Sequence, residues 1–234
     1  MTVNEVITLF RRQSEDSVYT YDRDMPDSQS FWSNFQLIQY LNEGQNEFAE
    51  ETYCFKDGDS FSLSLTGTEA TYEIDPRILK VERAELLSTN TMLKLKTIEE
   101  YQQTSYRDDY GHRKASSWEE HTGTPTTLIT DIDSGYFRVY PIPTESDTVK
   151  LTVRRLPLNV LDSLDDELEI PQRYQYGLLY KLQKEAYSGP KSLLMGYGDA
   201  LAVATRNWIE FISNATKRIK IMARGPGKVR YGGL

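Results

Sequence analysis

Val3, Val6, Ile7 and Phe10 recur at the three-and-four spacing of one helical face. Thr2 stands three residues before Glu5, the arrangement of a capping box, so the pattern predicts a short helix ending near Ser14. Residues 16–30, DSVYTYDRDMPDSQS, are rich in turn formers and carry no period. Ser33 with Gln36 repeats the capping signal ahead of Phe35, Ile38, Leu41, Phe48 and Phe55, which predicts a second helix over about 34–55.

The period then falls to two. Phe61, Leu63 and Leu65 alternate with serines as in a half-buried strand, and Gly67 starts a turn. TYEID and RILKVERAEL read as two further strands separated by Pro76, which cannot donate to a ladder. Residues 97–105 suit a short helix, and 106–124 read as a long surface loop. Beyond it, TLITDI, YFRVYPI and TVKLTVRR, divided by Gly135 and by PTESD, predict a three-stranded meander.

Helical spacing returns after Pro171, with Tyr174, Leu178, Leu182 and Ala186 four apart up to the SGP break. The longest stripe follows: Leu201, Ala204, Trp208, Phe211, Ala215, Ile219 and Met222 keep to one helix face as far as Gly225-Pro226-Gly227. A start near Lys191 gives a helix of about 50 Å, which Gly196 and Gly198 bend or delay. Two helices, a β-rich middle and two helices define an α+β chain: a four-helix bundle from the N- and C-terminal segments with an inserted antiparallel β domain. The expected division is 1–57 with 168–224 as the bundle, 58–167 as the β-rich insert, and 225–234 as an extended basic C-terminal arm. Leu201, Ala204, Trp208, Phe211, Ala215 and Ile219 are the expected bundle core.

Charge divides the chain again. It has 27 basic and 35 acidic residues, and six of the basic ones, Lys217, Arg218, Lys220, Arg224, Lys228 and Arg230, lie in the acid-free stretch KRIKIMARGPGKVRYGGL. Taking those six from 27 leaves 21 against 35, a net charge of −14 for the remainder. Sixteen tyrosines supply amphipathic surface of the kind used at interfaces. Cys54 is the single cysteine, so an intrachain disulfide and a thiolate metal cluster are excluded, and a reducing compartment fits. The first residues lack the pattern of a signal peptide and no 18 apolar residues run together, so no membrane span is expected.

Catalytic patterns are not found. There is no G-x-S-x-G elbow, no phosphate-cradling glycine loop and no Cys–His pairing signature. His112 and His121 share a charged loop with Asp108, Asp109, Glu119 and Glu120, but their spacing matches no helical face, and a solvated loop is the simpler reading. Asp162, Asp165, Asp166, Glu167 and Glu169 do not follow a calcium-loop pattern, and form a candidate acidic channel or interface surface. The basic stretch, with Tyr231 as its one aromatic, is expected to be a docking arm that orders on a partner. Ten residues from Gly225 reach about 33 Å when extended.

The segments FWSNFQLIQYLNEGQNEFAEET, GTEATYEID, PRILKVERAEL, GTPTTLI, YFRVYPIPTESDTVKLTVRRLP and ELEIPQRYQYGLLYKLQKEAY, in that order, resemble tailed-bacteriophage head-to-tail adaptor (connector) proteins over about residues 31–187. The resemblance implies a helical bundle carrying a β domain, with twelve copies in a ring below the portal protein. Such a ring continues the DNA channel and binds the next tail component, whether tail terminator, nozzle or second adaptor. Packaged DNA passes through without sequence-specific binding. The implied location is the head-to-tail junction of the virion, and the host cytoplasm during assembly, with neither enzyme activity nor cofactor. On this reading Lys217, Arg218, Lys220, Arg224, Lys228, Arg230 and Tyr231 form the portal-binding arm. The alternatives are a lower tail gatekeeper or tail-tube protein of the same virion, a nucleic-acid-binding protein using the basic tail, and an enzyme using the 108–121 cluster.

Overall fold

The computed structural model describes residues 1–14, 31–105, 120–189, 192 and 196–223. Residues 1–55 with 156–234 form one compact unit and residues 56–155 a second. The segment 156–167, expected with the β-rich insert, belongs to the first unit.

In the first unit, α1 (Val3–Gln13) and α2 (Asn34–Thr52) both begin with complete capping boxes, Thr2 with Glu5 and Ser33 with Gln36. Each box satisfies donors that the first helical turn leaves without an intrahelical partner. α1 buries Val3, Val6, Ile7 and Phe10 as its spacing requires. α2 buries Leu37, Ile38, Leu41 and Phe48, whereas Phe35, expected on the same face, is 69% exposed. The helix stops three residues short of expectation because Tyr53 turns left-handed, with φ 52°, and Phe55 opens a strand.

The expected helix after Pro171 is two: α4 (Gln172–Gln175) and α5 (Leu178–Ser188), divided at Tyr176 and Gly177. The last helix, α6 (Gly198–Ala223), starts later than Lys191 and is about 39 Å long. Gly196, with φ +87°, lies in the left-handed region just before it, where glycine alone is unstrained. Of the α6 stripe, Ala204, Trp208 and Ala215 are buried, Leu201, Phe211 and Ile219 are partly buried against the same core, and Met222 is 57% exposed. α6 lies mainly on α5 and also on α2, while α1 meets α5 and α2. One apolar cluster joins these helices, and each large side chain fully buried there contributes roughly 1.5–3 kcal/mol.

The second unit is a curled sheet of eight strands: β1 (Phe55–Asp57), β2 (Ser62–Leu65), β3 (Thr71–Glu73), β4 (Ile78–Leu86), β5 (Thr91–Thr97), β6 (Thr127–Asp133), β7 (Tyr136–Tyr140) and β8 (Asp147–Arg155), with the helix α3 (Ile98–Ser105) after β5. The order is β1-β8-β4-β5-β6-β7-β3, with β2 also on β8. Val149, Leu151 and Val153 of β8 are buried and its alternate residues are not, which makes β8 a central strand with one apolar face.

Two expectations are corrected. β6 and β7 form the expected hairpin, but β8 does not continue a meander: it pairs with β4. Pro141 and Pro143 flank Ile142 and offer no N–H to a ladder, and Ile142 bridges to Thr122 instead, so the chain leaves β7 there. Nor is the sheet wholly antiparallel, because β5 and β6 run parallel from Lys94↔Thr127 to Thr97↔Thr130. A parallel pair needs a long crossover, and the chain between them, beginning with α3, supplies it. β5 itself was missing from the sequence reading.

Candidate functional site

The acidic segment is a braced loop. Asp166 Oδ2 accepts from the backbone N–H groups of Asp162 at 2.8 Å and Ser163 at 2.9 Å, and these bonds hold its carboxyl below the usual range. Glu169 Oε2 accepts from Leu158 N at 2.7 Å. The loop backbone also completes α1: Asp166 O and Leu164 O each accept at 2.9 Å from Val3 N and Asn4 N, two donors the first turn cannot use internally. Asp162, Asp165 and Glu167 are exposed. The five acids therefore share one loop but fall into two kinds, with Asp166 and Glu169 engaged in shaping it and the other three presented outward.

Side chains that the sequence reading did not single out fix the loop's position. Asn42 of α2 donates to Leu161 O and accepts from Leu161 N, both at 2.8 Å. Gln45, one helical turn on, accepts from Glu169 N at 2.9 Å, and Gln175 of α4 donates to Leu168 O and Ile170 O at 3.0 and 2.9 Å. Gln45, a polar residue between Leu41 and Phe48 of the apolar stripe, was the available signal, since a buried amide seeks partners.

The basic stretch begins on the last turns of α6. Lys217, Arg218 and Lys220 are exposed there, with Ile219 turned toward the core. Arg224, Lys228, Arg230 and Tyr231 lie outside the described residues. The helix that carries these cations is anchored by a polar contact within the apolar cluster. Trp208 Nε1 donates to Glu47 Oε1 at 2.7 Å, and Lys181 Nζ lies 2.7 Å from Glu47 Oε2 and 2.6 Å from Glu185 Oε1. Burial alone would raise the Glu47 pKa, but bonds from Lys181 and Trp208 outweigh it and lower the value. Lys181 is raised because the two carboxylates outweigh the opposing effect of burial. A lysine between Leu178 and Leu182 in the apolar stripe was the sequence signal for this network.

On the β unit, ion pairs line β4 and β8: Arg154 with Glu82 at 2.7 Å, Lys56 with Glu82 at 3.0 Å and Arg155 with Asp57 at 2.9 Å. Burial opposes ionisation of Asp57, but backbone N–H bonds from Ser60 and Asp59, the Ser60 hydroxyl and Arg155 together hold its carboxyl far below the usual range. His121 Nδ1 lies 2.9 Å from the Tyr140 hydroxyl, and His112 is outside the described residues. Among the described residues no group of three or more His, Cys, Asp or Glu side chains is placed to hold a metal ion. No described helix is long and apolar enough to cross a membrane.

No curated protein matches this chain. The family model described as SU10 adaptor protein matches residues 1–230, a span that takes in the two capped N-terminal helices, the curled sheet, the braced acidic loop and α6. On that match the chain belongs to the SU10 adaptor protein family, and its role is that of a structural adaptor in a bacteriophage virion.

Proposed function

We propose that this chain is a head-to-tail adaptor, twelve copies of which form a ring below the portal, continue the DNA channel and carry the tail. The observation that carries the reading is the family match over residues 1–230. Within the subunit, α1, α2, α5 and α6 act as a four-helix bundle, the β unit as an insert, and the basic stretch from Lys217 through Arg224, Lys228, Arg230 and Tyr231 as the portal-binding arm. Asp162, Asp165 and Glu167 face the bore or a neighbouring protein. A negative bore repels phosphate and lets DNA slide, while cations of the arm meet carboxylates of the portal.

The test is electron microscopy of the purified chain mixed with isolated portal rings, beside a variant lacking residues 225–234. The expected outcome is a second twelve-fold tier on the portal with the full chain and a sharply reduced one with the variant. A full chain that never binds portal rings overturns the placement, and undiminished binding by the variant overturns the arm.

A further inference from the structure

The β unit contains a cleft of about 590 Å³ whose long walls are strands. β4 and β5 are laddered only from Ala84↔Leu93 to Leu86↔Thr91. Past that point β5 turns to pair with β6, and β4 stays with β8 through two irregularities, between Ile78 and Lys80 and between Val81 and Arg83. Bulges bend a strand and increase its twist, which explains why β4 diverges from β5. Over Ile78–Arg83 the β5-facing edge of β4 is joined by no described strand. Ile78, Val81, Leu95 and Phe137 supply apolar surface in the opening, with Lys80, Glu82, Lys96 and Glu100 also around it.

An open strand edge beside an apolar floor is suited to an added strand, with backbone bonds giving affinity and alternate side chains seated below. The segment of this chain that fits is Lys228-Val229-Arg230-Tyr231. Its residues alternate cationic and apolar, so as a strand it carries Val229 and Tyr231 on one face and Lys228 and Arg230 on the other. Four residues span about 13 Å, against about 16 Å for the five residues of β4 from Ile78 to Glu82. Val81 is buried while Lys80 and Glu82 on either side of it are exposed, so an added strand continues the Val81 face with its apolar side chains and sets its cationic ones beside Lys80 and Glu82. The apolar face is therefore the one that enters. From Ala223, where α6 ends, the six residues to Val229 reach about 20 Å.

We infer that in the ring the segment 228–231 of one copy adds as a strand to the β4 edge of a second copy, seating Val229 and Tyr231 in the cleft and leaving Lys228 and Arg230 outward for the portal. The inference rests on the proposed ring and gives the arm two faces with separate tasks, one joining subunits and the other gripping the portal.

Cys54→Ser with Lys80→Cys and Lys228→Cys in the full chain, assembled on portal rings and mildly oxidised, should give a ladder of disulfide-linked copies. Adding Val229→Asp with Tyr231→Asp should cut the ladder about tenfold, because charge would enter an apolar seat. Rings that yield no cross-link, or monomers cross-linked within themselves, overturn the inference. A second measurement needs no ring: a peptide of residues 225–234 bearing Lys228→Cys should label the full-length Lys80→Cys, Cys54→Ser protein faster than a scrambled peptide does. Equal labelling overturns the strand addition. Lys228→Glu with Arg230→Glu, in the chain with native Lys80, reads the portal task separately. Portal binding undiminished there while the ladder forms removes the portal-binding arm and leaves the cleft in place.

Discussion

The ring of Phe211 lies against the backbone of Gly177, so closely that a Cβ at that position would overlap it. Gly177 has φ −65°, which any residue adopts, so it is required there for space and not for backbone freedom. Phe211 also stacks on Phe48 and Trp208, with centroids 5.5 and 5.7 Å away, and has little room to retreat. Gly177→Ala should destabilise the protein by about 1–3 kcal/mol, the usual cost of overfilling a packed site. In a Phe211→Leu background the same change should cost clearly less, and chemical denaturation of the four variants in a cycle measures the difference.

Lys181→Met should be more damaging than its volume change suggests. The substitution leaves Glu47 and Glu185 without their shared cation in a site where the Lys181 side chain is only 7% exposed. Removing one partner of a fully buried pair costs about 3–5 kcal/mol. Because Glu47 keeps 35% of its side-chain exposure, the expected loss is nearer 2 kcal/mol. Glu47→Gln in the same background should restore part of it, since the amide still accepts from Trp208 and carries no charge. Urea midpoints of the single and double variants test this.

The starts of α1 and α2 and the buried stripe of the last helix were legible because their signals are local. Thr2 with Glu5 and Ser33 with Gln36 announce helix starts within four residues, and α6 writes its buried face into its own spacing. What was missed depends on distant partners. Nothing near Gly177 marks the α4–α5 break, whose neighbour Phe211 is 34 positions away, and nothing in YFRVYPI or TVKLTVRR reveals that β8 pairs with β4. The acidic loop was recognised as a charged segment, but the separation of Asp166 and Glu169 from Asp162 and Glu167 depends on backbone N–H donors, which have no letter in a sequence.

Stability should fall at both ends of the pH scale. Glu47, Asp57, Asp75, Glu82 and Asp147 all have carboxyl pKa values lowered in the folded protein. A lowered folded value means the unfolded chain binds more protons, so their contribution is present above the ordinary values of 3.8 and 4.5 and is lost as pH falls through the folded ones. At the alkaline end Lys181 is raised above 10.5, and burial together with Tyr197 pushes Tyr187 up to about 12. There the folded state holds the extra protons, so stability present below pH 10 declines as pH rises through those values. Melting curves from pH 3 to 11 should show a plateau between two declines, and Asp57→Asn should flatten the acid one. An acid limb unchanged by Asp57→Asn would remove that residue from the account.

Within the acidic loop, Asp162 and Glu167 should differ from Asp166, to whose carboxyl the Asp162 side chain adds only the smallest contribution. The first two are exposed, so Asp162→Asn with Glu167→Gln should leave stability within about 0.5 kcal/mol of the original chain. Asp166 receives two backbone N–H groups on one oxygen, and its own carbonyl and that of Leu164 hold the first turn of α1. Asp166→Asn weakens the turn that aims those carbonyls, so it should lower the melting temperature and speed hydrogen exchange at the Val3 and Asn4 amides. Assembly should respond in the opposite order. If the proposed ring sets these carboxylates on its bore, loss of the Asp162 and Glu167 charges makes that bore less repulsive to phosphate, and rings of the double variant should retain duplex DNA at low salt, with retention falling steeply as salt is raised. Filter binding across a salt series reads this directly, and rings that retain no more DNA than the original would show that these carboxylates face a protein partner and not the channel.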